Sequence, residues 1–270
     1  MNPSRRNALR LLTASATSSL LSHSAMAQQS QEVETILCIP GRWADRSDFL
    51  RRVVTHEPKG RFMFAGLILA DVQEKNHVGL EFHPRDPQMR RAFEIAGQGK
   101  LGDPVLAAVD THTSVVYLRA PPKLSDEKSK VAKFTRLLQA IGGAAIKVES
   151  AGVAHTWERW NQLLAGTPFD LYTAAITLVA DRDYFYSCGM HNFSLPDCEV
   201  PRSLGVEVAA ELMNKFNHWQ LTEEPVLEDR HTFSLASGAP RYRVLRVSDS
   251  RHETGDPFFN PRGLWRLHEA

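Results

Sequence analysis

Apolar residues recur at helical spacing in several segments, and most of these segments begin or end with a recognisable signal. The clearest helix begins at Ser125, with Asp126 and Glu127 in its first turn, and ends before Gly142. Its apolar stripe consists of Val131, Phe134, Leu137, Leu138 and Ile141. The same spacing predicts helices after the capping residue Asp45, over Thr156–Leu164 and over Pro201–Gln220.

Short runs of β-branched and aromatic residues between the predicted helices indicate strands. Runs such as 61–82 resemble neighbouring antiparallel strands, so the pattern predicts an α+β fold of largely antiparallel sheets covered by amphipathic helices. The finer expectation is two ferredoxin-like halves, residues 28–150 and 151–270. The predicted strands are Val33–Ile39, Arg61–Leu69, His77–Phe82, Ser114–Leu118, Ala144–Val148, Phe169–Asp181, Tyr184–Cys188, Thr232–Leu235, Arg241–Val247 and Leu264–Leu267.

Residues 1–27 have the three parts of an export signal. Arg5 and Arg6 form a basic start, residues 11–21 are mildly apolar, and residues 25–27 read Ala-Met-Ala, a small-x-small cleavage site. The paired arginines resemble the twin-arginine export motif, although Ala8 stands where that motif usually has Phe. We therefore expect cleavage after Ala27, the twin-arginine translocase as a partner, and a periplasmic location.

Composition narrows the class of protein. The chain is 43% hydrophobic and 23% charged, which is ordinary for a soluble globular protein. Removing the signal, with its three arginines and no acid, changes the formal charge from +1 to 1 − 3 = −2. The sequence has no basic stripe for nucleic acid and no second long apolar run, so we expect neither nucleic-acid binding nor stable membrane insertion.

The densest run of chemically capable side chains is residues 184–198, where an aromatic strand is followed by a thiol, an imidazole, an amide, a carboxylate and a second thiol. Cys188 and His191 could share a metal ion such as zinc, with Cys198 or Asp197 and then His155 or His231 completing a tetrahedral set. The same two residues could instead act as nucleophile and base. A third interpretation is a buried thiol and a loop histidine without chemistry.

The remaining candidates lie elsewhere in the chain. His155 follows a strand and begins a helix, so a pocket there would combine an imidazole, a helix N-terminus and Glu149. His231 follows an acidic loop and opens a strand. Of the three cysteines, Cys38 reads as buried and inert, whereas Cys188 and Cys198 could form a disulfide in an oxidising compartment. Residues 97–102 match G-x-G-x-x-G by letters but follow a predicted helix, so we interpret them as a loop.

The C-terminal third resembles an uncharacterised bacterial family, a domain of unknown function. The resemblance rests on the sequence YSCGMHN at residues 186–192, LPD at 195–197, HTF at 231–233 and NPRGLWRL at 260–267. It covers about residues 184–267 and implies no activity. The chain has Ser194 where the resemblance leads us to expect glycine, and Cys198 is a departure that would make a bridge to Cys188 an acquired feature.

Two hypotheses follow from these residues. The first is a non-catalytic protein that binds a small molecule or a protein partner. An interaction or immunity-type protein belongs to the same hypothesis, because the sequence does not separate the two. Its cleft would be bordered by Cys188, His191, Asn192, Asp197, His155 and His231. The second is a metal- or thiol-dependent hydrolase that uses Cys188 and His191 with His155 or His231.

Overall fold

The computed structural model describes residues 33–270, and the predicted export signal at residues 1–27 lies outside the described residues. The described chain forms seven helices and thirteen strands in two largely antiparallel sheets, which confirms the predicted α+β class. One sheet has seven strands and the other six, so each is larger than the four-stranded sheet of a ferredoxin-like unit.

The first sheet consists of β1 Thr35–Gly41, β2 Phe62–Ala65, β3 Ile68–Asp71, β4 Asn76–Pro84, β5 Ser114–Ala120, β6 Ile146–Val148 and β7 Val153–His155. Its spatial order is β2-β3-β4-β5-β1-β6-β7, and all neighbours are antiparallel. Leu37, Cys38 and Ile39 are all fully buried, because helices cover both faces of the sheet at β1.

The second sheet consists of β8 Thr177–Ala180, β9 Tyr184–Cys188, β10 Asp197–Pro201, β11 Thr232–Ser234, β12 Arg241–Val247 and β13 Leu264–Glu269. Its spatial order is β11-β12-β13-β10-β9-β8. The pairing of β10 with β13 is parallel and the other pairings are antiparallel. This sheet carries the residues of the 184–198 segment on the neighbouring strands β9 and β10 and the turn between them.

The helices divide between the sheets. Those that pack against the face of β1 carrying Leu37 and Ile39 are α1 Arg46–Thr55, α4 Leu124–Ala140, α5 Trp157–Ala165 and α6 Pro168–Ala175. Those against the face carrying Cys38 are α2 Met89–Gly97 and α3 Asp103–Asp110. The second sheet is covered by α7 Val206–Glu223, which buries Leu212 and Phe216. The stripe predicted for α4 therefore faces the core as expected, whereas the stripe predicted for α7 is right at Leu212 and Phe216 and wrong at Val208, which is exposed.

The predicted strand over 169–181 is wrong in its first half, which forms α6. Pro168 occupies the first turn of α6, and Thr167 forms a capping box with Asp170 in which each side chain binds the other residue's backbone N–H. This local start signal outweighs the strand-like composition. Only Thr177–Ala180 forms a strand, β8.

The predicted central strand over 61–69 is also wrong. Residues 62–71 form the β2–β3 hairpin at one edge of the first sheet, with Ala65 opposite Ile68. Gly66 supplies the turn with φ +60°, a conformation that glycine adopts without a Cβ clash. The apolar run is long enough for one strand, but the glycine divides it into two.

The chain passes from the first sheet to the second between His155 and Thr177. The helices in this interval, α5 and α6, pack in the core of the first sheet. The change of sheet thus falls C-terminal to the boundary expected at 150/151. Among residues 33–270, none of the helices combines the length and the apolar character needed to cross a membrane.

Candidate functional site

The 184–198 segment reverses direction through a short 3-10 turn, Met190–Phe193, that connects β9 to β10. Gly189 makes this reversal possible. Its φ is +122°, and a Cβ there would lie 2.3 Å from the Ala175 carbonyl oxygen and 2.9 Å from the Ala151 Cβ. Ser194 ends the turn with φ +58°. Backbone sterics therefore determine the shape of this segment at both ends of the turn.

The 3-10 turn connects the second sheet to the core of the first sheet. Met190 and Phe193 are buried in the core of the first sheet, away from the strands that flank them in sequence. Asn192 is fully buried; its amide donates to the Ala175 carbonyl at 3.3 Å, and its carbonyl accepts from the Ser150 hydroxyl at 2.6 Å. The predicted binding residue Asn192 thus uses its polar atoms within the protein.

Asp197 lies at the start of β10 and is almost completely buried. Its carboxylate accepts hydrogen bonds from the Ser187 hydroxyl at 3.0 Å, the Met190 backbone N–H at 3.1 Å and the Asn260 amide at 2.6 Å. Burial raises the pKa of Asp197 to about 7, although all three donors favour the ionised form. The predicted binding residue Asp197 is therefore a buried titratable group enclosed by its donors.

The β12–β13 loop, residues 248–263, covers the face of the second sheet that carries Cys188 and Asp197. Asp249 organises this loop, because its carboxylate accepts from the backbone N–H groups of Arg251 and Asn260 at 3.0 Å each. Beneath the loop is a cavity of about 10 Å³. That volume is at the limit for one water molecule, so this region does not form the ligand cleft expected from the sequence.

His191 is 2% exposed, and neither ring nitrogen forms a hydrogen bond of good geometry among the described residues, although the Pro257 carbonyl lies near enough to raise its pKa. Burial lowers the pKa of His191 to about 4, which the negative charge of Asp249 offsets only in part. The imidazole is therefore neutral near pH 7. A neutral, enclosed ring without a hydrogen bond of good geometry contributes a poorly compensated polar group to the core.

The predicted thiol–imidazole pair is not formed. The only contact of hydrogen-bond type recorded for the Cys188 thiol within residues 33–270 is with the Ser150 carbonyl, at 4.0 Å. Burial raises the pKa of this thiol, and the nearby carboxylate of Asp197 raises it further. Since the thiolate is the nucleophile, this environment opposes thiol catalysis at Cys188.

The predicted bridge between Cys188 and Cys198 is absent, and both residues are free and buried. Cys198 packs beneath α7, whereas Cys188 packs with Tyr186 and Leu264 on the other face of the sheet. Side chains alternate between faces along a strand, and the register of β9 with β10 puts these two thiols on opposite sides.

The predicted metal set is not assembled either. Cys188 and His191 both lie near Asp249, but His155 is turned towards the Ala174 carbonyl, and His231 lies in an exposed loop, 3.8 Å from the Glu228 carboxylate. Over residues 33–270, no three His, Cys, Asp or Glu side chains are arranged so that they could hold a metal ion. The structure thus offers no ligand set for the zinc considered from the sequence.

Of the predicted residues, His155 is the one that borders a sizeable cleft. This cleft has a volume of about 590 Å³ and lies where α2, β7, α5, α6 and β8 meet. The His155 Nε2 atom is 2.9 Å from the Ala174 carbonyl, which fixes the ring against the cleft wall. Burial lowers the pKa of His155, and the positive charges of Arg159 and Lys100 lower it further.

Among residues 33–270, no carboxylate lines this cleft, which we call the His155 cleft. Its charged side chains are Lys100 and Arg159, and within the described residues neither forms an ion pair. Its apolar wall is formed by Leu101, Val153, Phe169, Tyr172, Ile176 and Leu178. Amide and hydroxyl groups of Gln98, Thr156, Thr173, Thr177 and Asn214 complete it.

Lys100 and Arg159 were not candidates from the sequence. One signal was present at Arg159, which lies in the first turn of α5, where a positive charge opposes the helix dipole. No comparable signal marks Lys100, which follows the end of α2 in the G-x-G-K loop.

Comparisons with protein-family models, with curated proteins and with solved structures find no match. The resemblance of the C-terminal third to an uncharacterised family therefore stays an expectation.

Proposed function

We propose that this chain is a non-catalytic binding protein, exported to the periplasm by the twin-arginine route, whose ligand is a small amphipathic anion held in the His155 cleft. The single observation that carries this proposal is a cleft of about 590 Å³ that combines Lys100 and Arg159 with an apolar wall and no carboxylate.

The size of the cleft supports a small-molecule ligand. Sites for small molecules typically enclose about 300–1,000 Å³, with apolar walls and a few polar groups that fix orientation. A cleft that also lies where several elements meet is a common setting for such sites. The 10 Å³ cavity beside Cys188 is far below this range.

The charge of the cleft supports an anion. Lys100 and Arg159 have no ion-pair partner within residues 33–270, and their charges depress the pKa of His155. A ligand with one carboxylate or sulfonate would neutralise part of this charge, while its apolar body would contact Val153, Ile176 and Leu178. Charge-assisted hydrogen bonds to such a group are stronger than neutral ones.

The test uses 8-anilinonaphthalene-1-sulfonate, a fluorescent probe with aromatic rings and one sulfonate. We expect saturable binding to the wild-type protein and at least about tenfold weaker binding to a Lys100→Gln/Arg159→Gln double variant, because two charge-assisted contacts are lost. Both side chains are exposed, so the double variant is expected to keep the wild-type melting temperature.

Two controls make the result specific. Lys215→Gln removes a cation from the surface groove beside Phe169 and Trp219, where the probe could also adsorb, and it is expected to leave the affinity unchanged. The uncharged analogue N-phenyl-1-naphthylamine should bind wild type and double variant alike. Equal affinity of the sulfonate probe for the wild type and the double variant would overturn the proposal.

A further inference from the structure

A second cleft, which shares no lining residue with the His155 cleft, has a volume of about 500 Å³. It lies where the start of α4, the residues after the 3-10 turn, the end of α7 and the last two strands meet. Three cationic side chains line it: Lys123, Arg246 and Arg262. We call it the arginine cleft.

The cations of the arginine cleft are not neutralised within the protein. None of the three forms an ion pair with an acid in the described part of the chain, where ion pairs involve other arginines and lysines. Glu224 is the one carboxylate that lines the cleft, and it also forms no ion pair within residues 33–270. The cleft therefore carries an excess of two positive charges.

Arg246 is held in place by contacts that leave its charge unpaired. Its guanidinium lies over the Trp265 ring at 4.8 Å, and its Nη2 atom donates to the Arg262 carbonyl at 2.6 Å. Its backbone N–H donates to the Asp229 carboxylate at 2.9 Å. Burial lowers the pKa of Arg246, and the neighbouring charge of Arg262 lowers it further. Two like charges are thus kept close together, an arrangement that an anion between them would stabilise.

We infer that the arginine cleft is a binding site for a tetrahedral dianion, a phosphate or sulfate group, either free or as the head of a small ester. A guanidinium can donate to two oxygens of such a group, and the contact with the Trp265 ring and the bond to the Arg262 carbonyl restrict the position of the Arg246 guanidinium in advance. The two charges of the ligand would balance the excess of two. Lys123 would supply a point charge at the rim.

The experiment is calorimetric titration of the full mature protein with inorganic phosphate at constant ionic strength, with sodium acetate as a monoanion control. We expect saturable phosphate binding that strengthens as pH rises and phosphate becomes a dianion, and no saturable acetate binding. Sulfate, a dianion throughout this pH range, should bind without that pH dependence.

A phenyl phosphate titration then separates the two sources of the group: tighter binding than inorganic phosphate indicates an ester, and equal binding indicates the free ion. Both results support the site.

Variants locate the binding. Arg246→Gln and Arg262→Gln are each expected to weaken phosphate binding by about tenfold or more. Arg246→Lys keeps the charge but loses the fork, so we expect an intermediate loss. The matched control is Arg243→Gln on the same strand, because Arg243 is exposed and does not line the cleft. The site is refuted if the heat of phosphate binding does not saturate, or if Arg243→Gln weakens phosphate binding as much as Arg246→Gln does.

The two clefts can be tested independently. One test measures probe affinity at the His155 cleft, and the other measures phosphate affinity at the arginine cleft. Lys100→Gln/Arg159→Gln should leave phosphate binding intact, and Arg246→Gln should leave probe binding intact, because no residue lines both clefts. A failure of one assignment therefore leaves the other standing.

Discussion

The amide of Asn260 donates a 2.6 Å hydrogen bond to the carboxylate of Asp197, which joins the loop before β13 to the first residue of β10. The same amide donates to the Leu195 carbonyl at 3.0 Å, and the Asn260 carbonyl accepts from the Arg262 backbone N–H at 2.9 Å. The Asn260 side chain, whose amide and carbonyl both form hydrogen bonds, thus positions the buried carboxyl of Asp197 and the start of the segment that carries Arg262.

The buried carboxyl of Asp197 predicts a loss of stability as pH rises. Its pKa is about 7 in the folded protein and near 3.8 in the unfolded chain, so the folded state binds more protons between these values. The contribution of this group to the free energy of unfolding is therefore fully present below about pH 4 and is lost as pH rises through about 7. The loss is at most about 4 kcal/mol, from 1.36 kcal/mol per pKa unit.

Urea denaturation of wild type and Asp197→Asn across this pH range measures the effect. His191 acts in the opposite direction, because its lowered pKa makes the folded state lose stability as pH falls from 6.5 towards about 4. The difference between the two proteins isolates Asp197 from His191. A pH profile that is identical in wild type and variant would contradict the raised pKa.

Replacing the imidazole of His191 by an apolar side chain should not destabilise the protein. The ring is buried and its nitrogens form no hydrogen bond of good geometry within the described residues, so His191→Leu removes a poorly compensated polar group. We expect the free energy of unfolding at about pH 7 to stay the same or rise by about 1 kcal/mol. The variant should also lose less stability in acid than wild type.

His155→Leu is the matched control for this substitution. It too replaces a buried histidine, but it leaves the Ala174 carbonyl without the partner that lies 2.9 Å away. We expect a loss of about 1–3 kcal/mol for His155→Leu, measured by the same urea denaturation. If His191→Leu is destabilised as much as the control, the Pro257 carbonyl is an effective hydrogen-bond partner of His191.

The three thiols should be free and slow to react. Cys38, Cys188 and Cys198 are buried, and burial raises the pKa of each thiol. Alkylation with iodoacetamide near neutral pH should therefore leave the native protein almost unmodified and label all three cysteines in denaturant. Protein recovered from the periplasm is the informative sample. If only Cys38 is labelled in denaturant, Cys188 and Cys198 form a disulfide, which would contradict this prediction.

Gly189→Ala should be among the most destabilising single substitutions in the chain. An added Cβ would lie 2.3 Å from the Ala175 carbonyl and would occupy a backbone conformation with φ +122°. We expect the free energy of unfolding to fall by about 3 kcal/mol or more.

Gly205→Ala is the control: φ is +76° but nothing lies within 4 Å of the added Cβ. Its loss should be only about 1 kcal/mol, from backbone strain alone. Thermal unfolding of both variants gives the comparison, and similar losses would mean that the contact at Gly189 relaxes at little cost.

Local sequence determined much of the secondary structure. The apolar stripes of α4 and α7 and the Asp45 cap of α1, whose carboxylate accepts from the Asp48 N–H at 2.8 Å, depend on neighbours within a few turns. Such signals act before any long-range contact forms, and they were sufficient to predict the α+β class. The errors at 61–69 and 169–181 arose where a glycine turn and a capping box outweighed a strand-like composition.

The tertiary structure decided the chemistry of the candidates. Cys188 and Cys198 are close in sequence, but the register of β9 and β10 separates their side chains across the sheet. Burial among residues from distant segments raises the pKa of Asp197 to about 7 and lowers the pKa of His191 to about 4. Proximity along the chain was a poor guide here, since a residue's environment is the sum of contacts from distant segments.

Both clefts depend on such distant contacts. Lys100 lies in the loop after α2 and Arg159 lies on α5, and the two meet only when α2 and α5 pack beside β7. Arg246 and Arg262 meet because β12 and β13 pair as neighbours across the loop between them. The sequence by itself determined the α+β class and most of the helices and strands. Only the packing of those elements decided where charge is left without a partner, because ion pairing is a property of side chains brought together in space.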